Sequence, residues 1–278
     1  MSDKLAIVIL NYKSYQETLN EAKLCNDLLG VAYEDVIIID NASPNDSAEV
    51  LSKASKEQGF IFIKSDENSG YAAGNNIGLR CAFEHGYRYA WILNNDIIIK
   101  DKAIIEKLIS VFHSDNTVAV VNPDIYAPDG HMYNRDSKRP NFFDLTLGMY
   151  KYKKAGREVN DIGGYAYVYR PQGCCMMVDL KKISEIGYMD EHTFLYVEEP
   201  ILAERLLKKE YRCACCLTTS IIHNHSVTVK STFDKKRIRK MNNESNEYYL
   251  CTYRGFNKLQ IKICCWFNSL KMIALEGM

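Results

Sequence analysis

Short apolar runs recur along the first part of the chain, and each ends in polar residues before a polar stretch of helical length. Three of these runs are residues 5–10, 36–39 and 89–93. Runs of four to six apolar residues are typical of strands that are buried on both faces, as in a parallel sheet covered by helices. The alternation therefore predicts an α/β fold with a mostly parallel, doubly wound sheet.

Polar residues lie just beyond the ends of three predicted strands. Asp40 and Asn41 follow the second strand, Asn68 follows the third, and Asp96 follows the fourth. Since the carboxyl ends of parallel strands meet at one edge of the sheet, ligands of such folds bind there. We expect a binding site at this edge.

Composition limits the class of protein. The chain has 278 residues, equal numbers of basic and acidic residues (35 each) and 47% hydrophobic residues, which excludes a disordered or fibrous chain. No apolar run reaches about 18 residues, so we expect no transmembrane helix. The N-terminal residues do not resemble a signal peptide, and we expect a cytoplasmic protein.

The ten cysteines are consistent with that compartment. The cluster Cys213, Cys215 and Cys216 raises the possibility of zinc, but a zinc site requires a second, separated pair of ligands, and no convincing pair follows. We interpret the cysteines as reduced core thiols.

The segment Asn94–Asn95–Asp96 is the first candidate for chemistry. A carboxylate after a strand can hold a divalent cation that bridges a diphosphate to the protein. The alternative is a simple turn, because Asn and Asp often close a strand. The segment 69–74 contains Gly70 and Gly74 but lacks the spacing of a dinucleotide-binding loop, so we do not expect NAD.

Two further candidates lie in the second half of the chain. Pro200 is favoured at the first position of a helix, which makes Glu199 the predicted N-cap and, beside the helix dipole, a candidate general base. The alternative is a plain acidic helix start. His223 and His225 follow a predicted strand and can ligate a metal, bind phosphate or cap the strand.

The last 53 residues differ from the rest in charge. Residues 226–278 contain ten Lys and Arg against four Asp and Glu, whereas the first 225 residues carry a net negative charge. Helical spacing places six apolar residues on one face: Leu259, Ile263, Trp266, Phe267, Leu270 and Ile273. A basic amphipathic helix with Trp and Phe favours a membrane surface, and the alternative is docking on the protein itself or on a second subunit. No motif supports nucleic-acid binding.

Seven motifs, taken in order along the chain, resemble glycosyltransferase family 2, and within it the rhamnosyltransferase-like enzymes of bacterial surface-polysaccharide synthesis. The resemblance covers about residues 5–230. The motifs are ILNYKSYQETL, IIIDNAS, ENSGYAAGNNIGL, WILNNDIII, QGCCMMV, GYMDEHTFLYVEEPILAERL and IIHNHSVT.

The resemblance implies a GT-A fold in residues 1–225, with a nucleotide-sugar-binding half (1–96) and an acceptor and catalytic half (97–225), followed by the tail 226–278. It implies Glu199 as catalytic base with Glu198 beside it, Asp96 and His223 as ligands of Mg²⁺ or Mn²⁺, and Arg205 and His225 as diphosphate or acceptor contacts. The implied nucleotide-binding residues are Asn11, Tyr12, Asp40, Asn41, Asn68, Gly70, Gly74, Asn75 and Asn95.

This sequence departs from the family pattern at two places. The D-x-D position reads Asn94–Asn95–Asp96 and so has one carboxylate, and Ile201 replaces the acid that usually follows the catalytic pair, whose second member is Glu instead of Asp. The implied activity is a metal-dependent, inverting transfer of a sugar, with rhamnose suggested, from a nucleotide donor to a lipid-linked oligosaccharide of O-antigen or capsule. The enzyme would lie at the inner face of the cytoplasmic membrane. The alternative is a catalytically silent sugar-nucleotide or glycan-binding partner in the same pathway.

Overall fold

The computed structural model describes residues 3–132, 134–149, 158–224 and 234–276. Its first half alternates strands and helices as predicted. In chain order the elements are β1 (Leu5–Asn11), α1 (Tyr15–Leu29), β2 (Val36–Asp40), α2 (Ser47–Gln58), β3 (Ile61–Lys64), α3 (Tyr71–Glu84) and β4 (Tyr89–Leu93). The second half contains β5 (Ile97–Ile99), α4 (Ile104–Ser114), β6 (Val118–Tyr126), β7 (Tyr165–Val168), β8 (Cys175–Asp179), α5 (Leu180–Glu185), α6 (Glu198–Leu207), β9 (Arg212–His223), α7 (Lys235–Thr252) and α8 (Lys258–Glu276).

One mixed sheet organises these elements in the order β3-β2-β1-β4-β8-β6-β9-β5, with β7 paired to β9. The α/β fold is confirmed. Parallel pairing is confined to β1 through β4 and to the β6–β9 pair. Strand β8 runs antiparallel to both β4 and β6. The sheet is therefore mixed. The predicted parallel arrangement holds for β1 to β4, whereas most of the later strands pair antiparallel.

Helices cover both faces of the sheet. Along β1, Ile7 and Ile9 belong to an apolar cluster that includes residues of α1, α2 and α4, whereas Ala6 and Val8 belong to a second cluster with residues of α3, α5 and α6. This alternation follows from the two-residue period of a strand and explains why the predicted strands are apolar throughout.

The two C-terminal helices form a hairpin that packs on the body of the protein. Ile261 and Cys264 of α8 contact a cluster that contains Tyr249 and Leu250 of α7 and Ile201 of α6. Ile201, which replaces the family's usual acid, is thus the apolar contact between α6 and the hairpin. None of the described helices is long and apolar enough to cross a membrane.

A buried hydrogen-bonded network fastens the hairpin in place. The Glu204 carboxylate on α6 accepts hydrogen bonds from Arg139 at 2.7 and 2.6 Å and from the Tyr169 hydroxyl at 2.6 Å. The Tyr169 hydroxyl also lies 2.7 Å from that of Tyr249 on α7, and Arg254 lies 3.5 Å from Glu204. Because buried charges are stable only when they are paired, this network specifies how α7 docks.

All ten cysteines are free thiols. Within the described ranges, His, Cys, Asp and Glu side chains form no group of three or more that could hold a metal ion. The interpretation of Cys213, Cys215 and Cys216 as buried core residues agrees with their positions in β9.

Gly70, the residue before α3, lies against the backbone of Phe194. Its φ is +96°, and a Cβ at this position would lie 2.0 Å from the Phe194 carbonyl oxygen. The amide of Tyr71, the next residue, donates a hydrogen bond to that same oxygen at 3.0 Å. Only glycine therefore allows the start of α3 to touch the segment that leads into α6.

We expect Gly70→Ala to destabilise the protein by about 1–3 kcal/mol more than Gly59→Ala, the typical penalty for overpacking. Gly59 is the control for a positive φ, since its φ is +95° but a Cβ there would meet nothing within 4 Å. Its ψ of 4° differs from the −172° of Gly70, so the excess loss at Gly70, measured by urea denaturation, combines overlap with the Phe194 backbone and the strain of that ψ. Equal losses of unfolding free energy would contradict the close approach.

Candidate active site

Helix α6 begins with two acidic residues, preceded by an unusual turn. Tyr196 and Val197 both have left-handed backbone conformations, with φ values of 74° and 71°. This turn starts the helix at Glu198 with Val197 as its N-cap, so the prediction of Glu199 as N-cap was wrong. Pro200 is tolerated at the third helical position because the first N–H groups of a helix need no intrahelical partner. Both carboxyl groups thus lie in the first turn, at the positive end of the helix dipole.

Glu199 is oriented by a chain of contacts that begins at α3. The amide of Gly173 donates to Glu199 Oε1 at 3.3 Å, and the Tyr71 hydroxyl donates to the Gly173 carbonyl at 2.6 Å. Burial, together with the charge of Glu199, raises the pKa of Tyr71 well above its usual value. The phenol therefore remains a hydrogen-bond donor and holds Gly173, and through it Glu199, in place.

Glu198 lies in a different environment from its neighbour. It is 5% exposed, and its Oε1 atom has no hydrogen-bond partner within the part of the chain that the structure describes. Burial, reinforced by the charge of Glu199, raises the pKa of Glu198 to about 8. This environment favours the neutral acid form of Glu198, which can donate a hydrogen bond.

Asp96 and His223 come together although 127 positions separate them. The antiparallel pairing of β5 with β9 sets Ile97 opposite His223. As a result, His223 Nε2 lies 3.1 Å from Asp96 Oδ1, and the amide of Asn224 donates to the Asp96 carbonyl. The structure thus brings the two predicted metal ligands into contact.

This pair has the chemistry of a partial metal site. A carboxylate and an imidazole 3.1 Å apart can share one divalent ion. Mg²⁺ and Mn²⁺ commonly take only one or two protein ligands and complete their coordination with substrate phosphates and water. The residues therefore fit a cation that is held jointly by the protein and a diphosphate.

The predicted nucleotide-binding residues form a hydrogen-bonded row along the strand ends. Asn11 donates to Asp40 at 2.7 Å and accepts from Thr18 at 2.9 Å, and Asn95 donates to Thr18 at 2.9 Å. Because Asn11 and Asp40 face each other in the β1–β2 register, the predicted convergence on one edge is confirmed.

Five other predicted residues lie at the start of α3 or next to it. Asn41 donates to Asn68 at 3.0 Å and to the Gly70 carbonyl at 3.2 Å, and a Cβ on Gly74 would lie 2.6 Å from Leu10. These contacts bring Asn68, Gly70 and Gly74 beside the strand ends. Asn75 is buried and donates to the Tyr71 carbonyl within α3, and the part of all five residues in nucleotide binding stays a prediction. Tyr12 lies at the same edge, with the Lys13 ammonium over its ring.

Arg205 and His225 are the two remaining predicted residues, and neither of them is among the described residues that form the candidate site. The Arg205 guanidinium donates to the carbonyls of Ile186 and Gly187 and lies 3.7 Å from Asp190, so it braces that loop and does not line the cavity described next. His225 lies outside the described residues.

A cavity of about 800 Å³ opens between the start of α6 and the C-terminal hairpin. One wall carries the groups predicted to do chemistry, and the opposite wall carries polar residues of α7 and α8. The lining includes Tyr71, Asn94, Gln172, Gly173, Glu198, Glu199, His223, Asn242, Asn246, Asn268 and Lys271. The candidate base and one candidate metal ligand therefore face the same space, as the transfer of a group between two substrates requires.

Sequence reasoning missed Tyr71, Gln172 and the hairpin residues as parts of this site. Tyr71 and Gln172 lie inside motifs that carry the resemblance, so their positions offered a signal. The hairpin asparagines offered a weaker one, because Asn is uncommon in the interior of a helix.

Comparison with known proteins is consistent with this geometry. The family model described as glycosyl transferase family 2 matches residues 8–177, more than half of the chain. A hexosyltransferase of low-salt glycan biosynthesis from Haloferax volcanii, Agl10, is 28% identical over 82% of this chain and 69% of its own. The O-antigen chain rhamnosyltransferase WbaN of Salmonella anatum is 24% identical over 72% of this chain and 59% of its own.

Solved structures share the fold at low sequence identity. The mannosyltransferase PcManGT from Pyrobaculum calidifontis, in complex with GDP-Man and Mn²⁺, is 11% identical with a TM-score of 0.60 over 99% of this chain and 75% of its own. TarS of S. aureus in complex with UDP-GlcNAc is 10% identical with a TM-score of 0.57 over 94% of this chain and 70% of its own. The family match, with the GT-A architecture of these structures, shows that the chain belongs to glycosyltransferase family 2 and is a glycosyltransferase.

Proposed function

We propose that this enzyme transfers a sugar from a nucleoside-diphosphate donor to a hydroxyl group of a lipid-linked oligosaccharide, with Mg²⁺ or Mn²⁺ as cofactor and inversion at the anomeric carbon. The observation that carries the proposal is the shared cavity, into which Glu199 and His223 both project beside Asn94. Relatives named for glycan biosynthesis and O-antigen rhamnosyl transfer support a role in surface-polysaccharide synthesis, such as O-antigen or capsule, with rhamnose as a candidate donor sugar.

Glu199 is the proposed general base. Its side chain is held by the Gly173 amide, which leaves the second carboxylate oxygen to accept the proton of an acceptor hydroxyl. Removing that proton makes the hydroxyl nucleophilic as it attacks the anomeric carbon, and the bond to the diphosphate breaks in the same displacement.

Asp96 and His223 are the proposed ligands of the cation. When bound, a divalent ion would neutralise the negative charge that develops on the leaving diphosphate. The nucleotide is proposed to lie along the strand-end row that contains Asn11, Asp40 and Asn95, with Asn41 and Asn68 beside it. In this proposal the donor lies beyond the ends of β1, β2 and β4, where Asn94, the residue after β4, lines the cavity.

We also propose that the hairpin binds the surface of an anionic membrane, where lipid-linked acceptors lie. Four apolar residues on one face of α8 are exposed: Leu259 (68%), Trp266 (59%), Leu270 (44%) and Ile273 (50%). The exposed Lys258 and Lys262 belong to the same helix, and the basic segment 235–240 begins α7. An exposed apolar face flanked by lysines is complementary to anionic lipid headgroups over acyl chains.

The Glu199→Gln variant tests the proposed function. We expect the rate of sugar transfer to fall by about 10²–10⁴, because the amide cannot accept the proton, while nucleotide affinity stays unchanged. Glu49→Gln is the matched control, since Glu49 also lies in the first turn of a helix but is exposed on α2. Release of nucleoside diphosphate measures both rates.

Transfer by Glu199→Gln within tenfold of the wild type would contradict the assignment of the base. A wild-type protein that binds nucleotide and transfers no sugar to any acceptor would favour the alternative of a silent binding partner. The single carboxylate of the segment 94–96 is the observation that motivates this alternative.

Tryptophan fluorescence tests the membrane proposal. Trp91 is fully buried and Trp266 is 59% exposed, so a change on vesicle addition reports on α8. We expect a blue shift and co-sedimentation of the wild type with phosphatidylglycerol vesicles, both weaker in high salt. Because Trp266→Glu removes the reporter, that variant is compared by co-sedimentation, which should be lost in it and kept in the control Phe83→Glu on α3. Undiminished vesicle binding by Trp266→Glu, or self-association without vesicle binding, would contradict the proposal.

A further inference from the structure

The contact between α7 and α8 is polar where it borders the cavity. Asn242, Asn243 and Asn246 of α7 are hydrogen-bonded to one another or to Asn268 and Ser269 of α8. Asparagine lowers helix stability relative to alanine, and a helix–helix contact is normally apolar. A group of residues that is unfavourable both for the helix and for the contact between helices is typical of a functional surface.

The hydrogen bonds of this group use some of its polar atoms and leave others. The Asn246 amide nitrogen donates to the Asn242 carbonyl and to Asn242 Oδ1, at 2.8 and 2.9 Å. The Asn268 amide nitrogen donates to Asn242 Oδ1 at 2.6 Å and to Asn243 Oδ1 at 3.2 Å. Among the residues that the structure describes, Oδ1 of Asn246 and Oδ1 of Asn268 therefore remain as acceptors, and Nδ2 of Asn242 remains as a donor.

Asn242, Asn246 and Asn268 line the cavity, whereas Asn243 does not. Gln172 and Glu198 line the opposite side of the cavity, but Gln172 Nε2 and Glu198 Oε1 are themselves buried from it. The polar atoms that the hydrogen bonds leave unused on the cavity-lining residues therefore belong to the hairpin.

We propose that this space is an acceptor subsite for one sugar ring, in which Asn246 and Asn268 accept hydrogen bonds from ring hydroxyls and Asn242 donates one. The inference rests on the proposed function, which supplies the reason for a sugar in this position. The hairpin lies outside residues 8–177 that match the family model, so the subsite would be formed by a segment that the family match does not cover.

Saturation-transfer NMR on the full chain tests the subsite without turnover. The probes are methyl glycosides of rhamnose, mannose, galactose and N-acetylglucosamine, which lack a lipid chain and so avoid the apolar face of α8. We expect the wild type to bind at least one of them, and Asn246→Ala and Asn268→Ala to weaken that binding roughly fivefold, the effect of one lost neutral hydrogen bond. Asn243→Ala is the matched control from the same network and should change binding less than about twofold.

The proposal would be overturned if the wild type bound no glycoside, or if Asn246→Ala and Asn268→Ala bound the glycoside as well as the wild type does. Equal weakening of glycoside binding by Asn243→Ala would also overturn it, because that result would indicate a purely structural network. Melting temperatures of the three variants show whether each remains folded. Glycoside binding in a protein that transfers no sugar would refute the proposed function and leave the subsite in place, so the two failures are distinguishable.

Discussion

The contact between the start of α3 and the segment before α6 holds the two halves of the site together. Tyr71 donates from its amide to the Phe194 carbonyl and from its hydroxyl to the Gly173 carbonyl, and Gly173 in turn binds Glu199. These bonds join the helix that borders the strand-end row to the helix that carries the candidate base. Both hydrogen bonds of Tyr71 depend on the close approach at Gly70, because a side chain at that position would overlap the Phe194 backbone and push α3 away.

The C-terminal hairpin supplies the opposite wall, and its docking depends on the buried charge of Glu204. That carboxylate is paired with Arg139 and Arg254 and hydrogen-bonded to Tyr169, which also contacts Tyr249 of α7. The same helices bury one face on the body and leave Trp266 and its apolar neighbours exposed. The element that lines the cavity is therefore also the one that we propose to contact a membrane.

Much of the first half could be predicted because its determinants are local. The apolar runs define β1, β2 and β4, and the polar residues at their ends necessarily meet at one edge, as the Asn11–Asp40 contact shows. The remaining features of the fold and the site depend on contacts between residues that are far apart in the sequence. No local pattern specifies that β8 inserts antiparallel beside β4 or that the hairpin asparagines reach the cavity. The start of α6 was misplaced because its left-handed turn has no proline or glycine to mark it.

Thermal unfolding with nucleotides tests most directly the central claim that Asp96 and His223 form the diphosphate end of one continuous site. The protein and its Asp96→Asn variant would be heated with UDP, dTDP, GDP or CMP, each with and without Mn²⁺. We predict that one nucleotide stabilises the wild type only with Mn²⁺, by about 2.7 kcal/mol at roughly 100 times its dissociation constant, and that Asp96→Asn loses this gain. Stabilisation by none of them, or equal stabilisation of the variant, would contradict the account.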